Sequence, residues 1–116
     1  FGHLQPSTPQ EHDHIIAYTS QLAHVVSCAY VGSPSAPSFQ GFSAGSFKDM
    51  TRVAKLNEQM WTELFLENRE ALVREIDTLV EELAAFAYTI RRGDRENLLG
   101  MLRRARQIKE SIDKDC

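Results

Sequence analysis

The sequence predicts an all-α domain, and three observations predict it. Apolar residues recur at spacings of three and four along most of the chain, no segment shows the two-residue alternation of a β-strand, and several helix starts carry capping residues. The chain has 116 residues, a length that fits one domain with one core. Apolar residues make up 42% and charged residues 25%, a balance that favours a folded globular chain over disorder.

The first helix is predicted over residues 9–31. Residues 8–11 form a Thr-x-x-Glu capping box with proline at the first helical position, which is a strong start signal. Apolar residues then keep helical spacing until Gly32. A loop rich in glycine and serine follows, and its aromatic residues Phe39 and Phe42 make it a candidate for function.

A short helix is predicted from Ser46 to about Ala54, and Asn57 is placed to cap the next one. Residues 58–90 contain neither proline nor glycine and predict one long helix, or two with a kink. An unbroken helix of this length would extend about 50 Å, longer than such a domain is wide. We therefore expect it to project and to contact a partner chain.

Glycine and aspartate mark the last boundary in the chain. Gly93 is expected to end the long helix, and Asp94 to cap a final helix that runs to about Lys114. Cys28 lies in an apolar helical pattern and is expected to be a small buried group, and the absence of any Cys/His cluster predicts no metal site.

The charge and hydropathy patterns exclude several classes of protein. Basic residues outnumber acidic ones only after residue 90, and that end is mixed in sign without interleaved aromatic residues, so it favours a solvated helix face over a nucleic-acid site. No apolar stretch approaches the roughly 20 residues that cross a bilayer, and no signal-peptide pattern is visible. We expect a cytoplasmic protein that binds neither nucleic acid nor membrane.

Polar residues on the predicted first helix form one candidate site. His12, Gln21 and His24 are expected to project to roughly one face, where they would be either satisfied core hydrogen-bonding groups or the wall of a polar pocket. Trp61, the only tryptophan, is typical of a core or interface anchor.

An anion site is the second candidate. Gly45 and Ser46 open a short helix whose free N–H groups would attract an anion, and Arg52 could bind a carboxylate through both guanidinium branches. The alternative is a surface pair between Arg52 and Asp49. The sequence has no Gly-x-Gly-x-x-Gly loop. We therefore do not expect this chain to carry out redox chemistry by itself.

Three segments together resemble the prephenate dehydrogenase family. HDHIIAYTSQLAH (12–24), GFSAGSFKDMTRVA (41–54) and MWTELFLENREAL (60–72) are similar, in order and spacing, to motifs of its C-terminal domain. The family commonly has His, Pro and Arg where this chain has Gln21, Ala23 and Lys48.

The resemblance implies an enzyme that oxidises prephenate with NAD or NADP, releasing carbon dioxide and leaving 4-hydroxyphenylpyruvate in tyrosine biosynthesis. The nucleotide fingerprint and the catalytic histidine lie in the family's N-terminal domain, so no catalytic or cofactor-binding residue is expected here. Residues 1–8 would be a linker from that domain. Residues 9–116 would be a helical dimerisation and substrate domain resembling the C-terminal domain of 6-phosphogluconate dehydrogenase, inactive alone and homodimeric.

The same resemblance implies roles for four residues. Arg52 would hold a prephenate carboxylate, preferably the one on the ring, and His24 would bond the pyruvyl end. Gly45 would allow close backbone approach, and Trp61 would pack at the pocket rim. Alternatives are an arogenate dehydrogenase domain and a stand-alone helical interaction module. A metal-dependent phosphohydrolase built on a His-Asp pair is a weaker alternative, since it lacks convincing further ligands.

Overall fold

The fold is described from a computed structural model and comprises residues 8–38 and 45–114. Within these two ranges the chain is helical, without a strand, which confirms the all-α prediction. A π-helical turn, Ala17–Gln21, joins the first two helices, and a 3-10 turn, Arg52–Ala54, follows the fourth. The helices are α1 (Pro9–Ile16), α2 (Leu22–Val31), α3 (Ser35–Ser38), α4 (Gly45–Thr51), α5 (Glu58–Glu67), α6 (Arg69–Arg91) and α7 (Arg95–Lys114).

Side-chain caps start three of the helices, as the sequence predicts. Thr8 Oγ1 accepts from the Glu11 N–H and the Glu11 carboxylate accepts from the Thr8 N–H, both at 3.1 Å. Asn57 Oδ1 accepts from the Met60 N–H at 3.0 Å. Asp94 Oδ1 accepts from the Asn97 N–H at 3.2 Å. Each bond satisfies an N–H group that a helix start leaves unpaired.

The π-helical turn interrupts the predicted helix over 9–31. The π-helical turn is wider than an α-helix, and the Leu22 N–H accordingly donates to the Ala17 carbonyl five residues earlier. Ala17 is fully buried and packs against Ala71 and Leu72 of α6. The turn therefore lies where the first helical segment meets α6, and the small side chain of alanine permits close packing there.

The predicted helix over 58–90 is divided at Asn68, so a single 33-residue helix is wrong and the kinked pair is correct. Asn68 has φ −114° and ψ 35°, outside the helical range, and α6 begins directly after it. Its side-chain amide donates to the Asp13 carbonyl at 2.9 Å. Asparagine side chains compete for backbone groups in this way, which favours a break over a continued helix.

Two compact units share the described residues, and α6 contributes to both. The unit of residues 8–76 has its core at the π-helical turn, where Val25, Phe65 and Ile76 pack around the buried residues already named. The unit of residues 77–114 contains the end of α6 and the whole of α7, joined through Gly93 at φ +65°. Glycine adopts this left-handed conformation without steric cost.

Cys28 does not have the buried position predicted for it. It is exposed, whereas its neighbour Ser27 is only 1% exposed. Successive residues of a helix point about 100° apart, so the packed face of α2 at this level belongs to Ser27. The structure gives the buried Ser27 Oγ no hydrogen-bond partner within the described ranges.

Candidate functional site

The aromatic pair of His24 and Trp61 is the centre of the candidate site. Their ring centroids lie 3.9 Å apart with an interplanar angle of 23°, so the rings stack. The histidine comes from α2 and the tryptophan from the first turn of α5, whose start is fixed by the Asn57 cap. Phe65, one turn further along α5, has its ring 5.6 Å from the indole and is partly buried in the core.

The histidine ring is oriented by a second contact. His24 Nδ1 lies 2.9 Å from the carbonyl oxygen of Ser20, in the π-helical turn. A carbonyl only accepts hydrogen bonds, so Nδ1 must carry the proton. Nε2 is then an acceptor when the ring is neutral and a donor when it is protonated. No side chain or backbone group in the described ranges bonds to Nε2.

Arg52 lies on the element packed next to α2. It is the first residue of the 3-10 turn, rather than part of α4, and this turn contacts α2. Its side chain is exposed and forms no ion pair with Asp49 or with any other acid in the described residues. The surface pair considered from the sequence is therefore not formed, and no acid of the described residues neutralises the guanidinium.

Gly45 is the first residue of α4 and is exposed. A Cβ atom built there would meet nothing within 4 Å, so the described residues impose no steric requirement for glycine. Its predicted role in close backbone approach stays a prediction. The predicted functional loop with Phe39 and Phe42 lies outside the described residues, as do residues 1–7 of the predicted linker.

The grouping of His12 with His24 on one face is wrong, whereas Gln21 and His24 both contact α5. His12 is exposed and Gln21 is 4% exposed. Twelve helical residues rotate His24 about 120° from His12, and the π-helical turn changes the rotation further. Gln21 has the structural role that the sequence left open: its Nε2 donates to the Leu64 carbonyl at 3.2 Å and its Oε1 accepts from Asn68 at 2.7 Å.

Sequence reasoning missed Asn68 and one long-range contact. Asn68 was visible only as a weak helix former within the Pro- and Gly-free stretch and as part of the third motif. His14 Nε2 lies 2.8 Å from a Glu75 carboxylate oxygen, joining α1 to α6 across 61 residues. No local pattern signals a pair so far apart in sequence.

Solved structures share this fold. Synechocystis arogenate dehydrogenase matches with a TM-score of 0.80 and 22% identity, over 90% of this chain and 40% of that one. Prephenate dehydrogenase from A. aeolicus, in complex with hydroxyphenyl propionate and NAD+, matches with a TM-score of 0.79 and 30% identity, over 93% of this chain and 40% of that one. The fold is thus that of a helical portion of larger dehydrogenases.

Sequence comparison defines the family. Residues 8–104 match the family described as prephenate dehydrogenase, dimerization domain, and the chain belongs to it. Cyclohexadienyl dehydrogenase from Zymomonas mobilis is 29% identical over 98% of this chain and 41% of its own length. Prephenate dehydrogenase from Bacillus subtilis is 25% identical over 96% of this chain and 31% of its own. The chain spans less than half the length of either relative.

In the described part of the chain no helix is both long enough and apolar enough to cross a membrane.

Proposed function

We propose that this chain is the dimerisation and substrate-binding domain of an NAD- or NADP-dependent prephenate dehydrogenase, which converts prephenate to 4-hydroxyphenylpyruvate and carbon dioxide. The observation that carries the proposal is the His24–Trp61 stack, together with Arg52 on a turn that contacts the same helix α2. Within the described residues His24 Nε2 forms no hydrogen bond and Arg52 forms no ion pair. The chain belongs to the prephenate dehydrogenase dimerization-domain family. Each of these three residues lies in one of the three segments that resemble motifs of that family.

The chemistry of prephenate suits these side chains. The substrate carries two carboxylates, one on the ring and one on the pyruvyl chain, so its pocket needs a fixed cation and hydrogen-bonding groups. Arg52 holds the ring carboxylate through a two-pronged, charge-assisted contact, which orients the ring for hydride loss. His24 Nε2 bonds the pyruvyl end, Trp61 packs at the rim, and Gly45 leaves room for close backbone approach.

A nicotinamide cofactor, when bound, would supply the acceptor for the hydride that leaves the ring. Because this sequence has no Gly-x-Gly-x-x-Gly loop, we assign cofactor binding to another domain of a longer enzyme, with residues 1–8 as the linker to it. The A. aeolicus structure, which contains NAD+, supports use of this cofactor type.

Arogenate is the alternative substrate, because matches include an arogenate dehydrogenase and a cyclohexadienyl dehydrogenase. Arogenate carries an ammonium group where prephenate carries a ketone. Neutral His24 would accept a hydrogen bond from that ammonium, whereas protonated His24 would donate to the ketone. The substrate preference of the complete enzyme decides between them.

The experiment uses the complete protein that contains this chain, purified and assayed for cofactor reduction with prephenate or arogenate and with NAD or NADP. We expect prephenate-dependent reduction by the complete protein and none by the 116-residue chain alone. Preference for arogenate would transfer the assignment to that substrate. A complete protein inactive on both substrates would refute the proposal and favour a helical interaction module. Cofactor reduction by the isolated chain would refute the assignment of cofactor binding to another domain.

A further inference from the structure

We propose that Gln21 and Asn68 are a pair of positioning residues that hold the His24 and Trp61 rings together at the substrate pocket. The inference rests on the proposed function for its kinetic consequence, but not for its structural one. It identifies how the chain joins the helix that carries the histidine to the helix that carries the tryptophan.

The pair connects the helices through three hydrogen bonds. Asn68 Nδ2 donates to Gln21 Oε1 at 2.7 Å and to the Asp13 carbonyl at 2.9 Å, which uses both of its hydrogens. Gln21 Nε2 donates to the Leu64 carbonyl at 3.2 Å. The three bonds thus link α1 and the π-helical turn to the last turn of α5 and to the break that follows it.

The location of these bonds explains their effect on the rings. Gln21 precedes His24 by three residues, and Leu64 follows Trp61 by three, so the Gln21–Leu64 bond lies about one helical turn from the ring stack on each element. A bond at this distance fixes the separation of α2 and α5 where the rings meet. Sliding or tilting of α5 far enough to separate the rings would have to break this bond.

Burial makes the pair costly to disturb. Gln21 is 4% exposed and Asn68 is half-buried, so water cannot replace a lost partner at the Gln21 amide. Gln21 uses one acceptor and one donor here. A neutral histidine also offers one acceptor and one donor, whereas leucine offers neither.

The test compares variants of matched shape or matched chemistry. Asn68→Asp keeps the shape of the side chain but loses both donors and turns an acceptor toward Gln21 Oε1. Gln21→Leu removes both functions, and Gln21→His restores one donor and one acceptor. Gln107→Glu is the control, since it makes the same amide-to-carboxylate change at an exposed side chain of α7 that forms no hydrogen bond within the described residues.

Two readouts separate positioning from mere stability. In the 116-residue chain Trp61 is the only tryptophan, so its emission and its quenching by acrylamide report on the ring stack. We expect Asn68→Asp and Gln21→Leu to shift emission to longer wavelength and to increase quenching. In the complete protein we expect kcat/KM for prephenate to fall about 10- to 100-fold, as for a ring displaced by about 1 Å.

Recovery by the conservative variant completes the test. Gln21→His is expected to recover most of what Gln21→Leu loses, and Gln107→Glu to match the parent protein in both readouts. If Asn68→Asp fails to fold, the comparison of Gln21→Leu with Gln21→His carries the test.

Two negative results have different meanings. Variants that melt at lower temperature, yet keep the parent's emission, quenching and kcat/KM while folded, would overturn the positioning role. A parent enzyme inactive on prephenate and arogenate would refute the proposed function instead, and the emission measurements would still decide the role of the pair.

Discussion

The His24 side chain is held in one orientation, whereas the Arg52 side chain is not. The histidine ring is oriented twice, by the Ser20 carbonyl and by the Trp61 ring, before any ligand arrives. Arg52 is exposed and unpaired in the described residues, so its long side chain must be ordered when a ligand binds. Loss of Arg52 should therefore reduce binding and leave the fold intact.

The first prediction concerns Arg52→Ala in the complete enzyme. Removing a charge-assisted, two-pronged contact should cost about 2 to 4 kcal/mol of binding. At about 1.4 kcal/mol per decade, kcat/KM for prephenate should fall roughly 30-fold to nearly 1000-fold. Arg52→Lys keeps the charge but loses the planar guanidinium that makes two hydrogen bonds at once, so it should recover only part of the loss in kcat/KM. Steady-state kinetics beside a thermal melt measures this.

The matched control is Arg104→Ala, which removes an exposed arginine from α7. It should change kcat/KM little. Unchanged kinetics in Arg52→Ala, or a loss accounted for by unfolding, would return Arg52 to a surface role.

Sequence motifs located Arg52, His24 and Trp61 as candidates, because side-chain chemistry at fixed spacing is visible in a sequence. They could not locate the backbone carbonyls that Gln21 and Asn68 bond. Gln21 bonds a backbone carbonyl 43 residues away and Asn68 bonds one 55 residues away. Every residue has a carbonyl, so only the tertiary fold selects the one that is used.

Some helix boundaries are set by local capping residues, and others are set by contacts between helices. The starts at Thr8, Asn57 and Asp94 were predictable because each cap bonds an N–H group three residues ahead. The break at Asn68 and the π-helical turn depend on packing and bonding between α1, α2 and α6, so local spacing did not show them.

The second prediction is that two glycine substitutions change the free energy of unfolding in opposite directions. Gly93 has φ +65°, so Gly93→Ala should lower the free energy of unfolding by about 1 kcal/mol. Gly100 lies inside α7 with open space around it, so Gly100→Ala should raise it by about 0.4 to 1 kcal/mol. Denaturant unfolding at fixed protein concentration measures both.

These two changes control each other, since the chemical change is identical. Equal effects at both positions would contradict the assigned backbone conformation of Gly93. Destabilisation by Gly100→Ala alone would indicate that another chain lies against α7 at that position.

At the scale of the molecule, apolar surface points to self-association. Large apolar side chains in the unit of residues 77–114 stay roughly half exposed, far above the few per cent of the core residue Leu72. Such surface usually marks an interface. The side chains are Val80, Leu83, Tyr88, Ile90, Leu99, Leu102, Ile108 and Ile112. The family description as a dimerization domain agrees with this use.

The third prediction is a homodimer of the 116-residue chain through this surface. Sedimentation at micromolar concentration should give twice the 13.2 kDa chain mass. Leu102 is 52% exposed, so Leu102→Glu should be tolerated by a monomer but should weaken the dimer by placing a charge in its interface. Gln107→Glu, an exposed polar position on the same helix, is the control.

A parent chain that sediments as a monomer would contradict the proposed dimer. Leu102→Glu that stays dimeric would place the interface elsewhere. Helix length gives no reason to expect a partner chain, because α6 has 23 residues and extends about 35 Å. The exposed apolar side chains now carry the inference.

The π-helical turn also determines the direction in which the side chains of α2 point. It contains one residue more than an α-helical path would need, so each side chain of α2 points about 100° away from where an uninterrupted α1 would direct it. Deleting Thr19 should remove this offset and turn His24 away from Trp61, with a change in tryptophan emission. A length change of one residue here would thus reorient His24 while leaving every site residue present in the sequence.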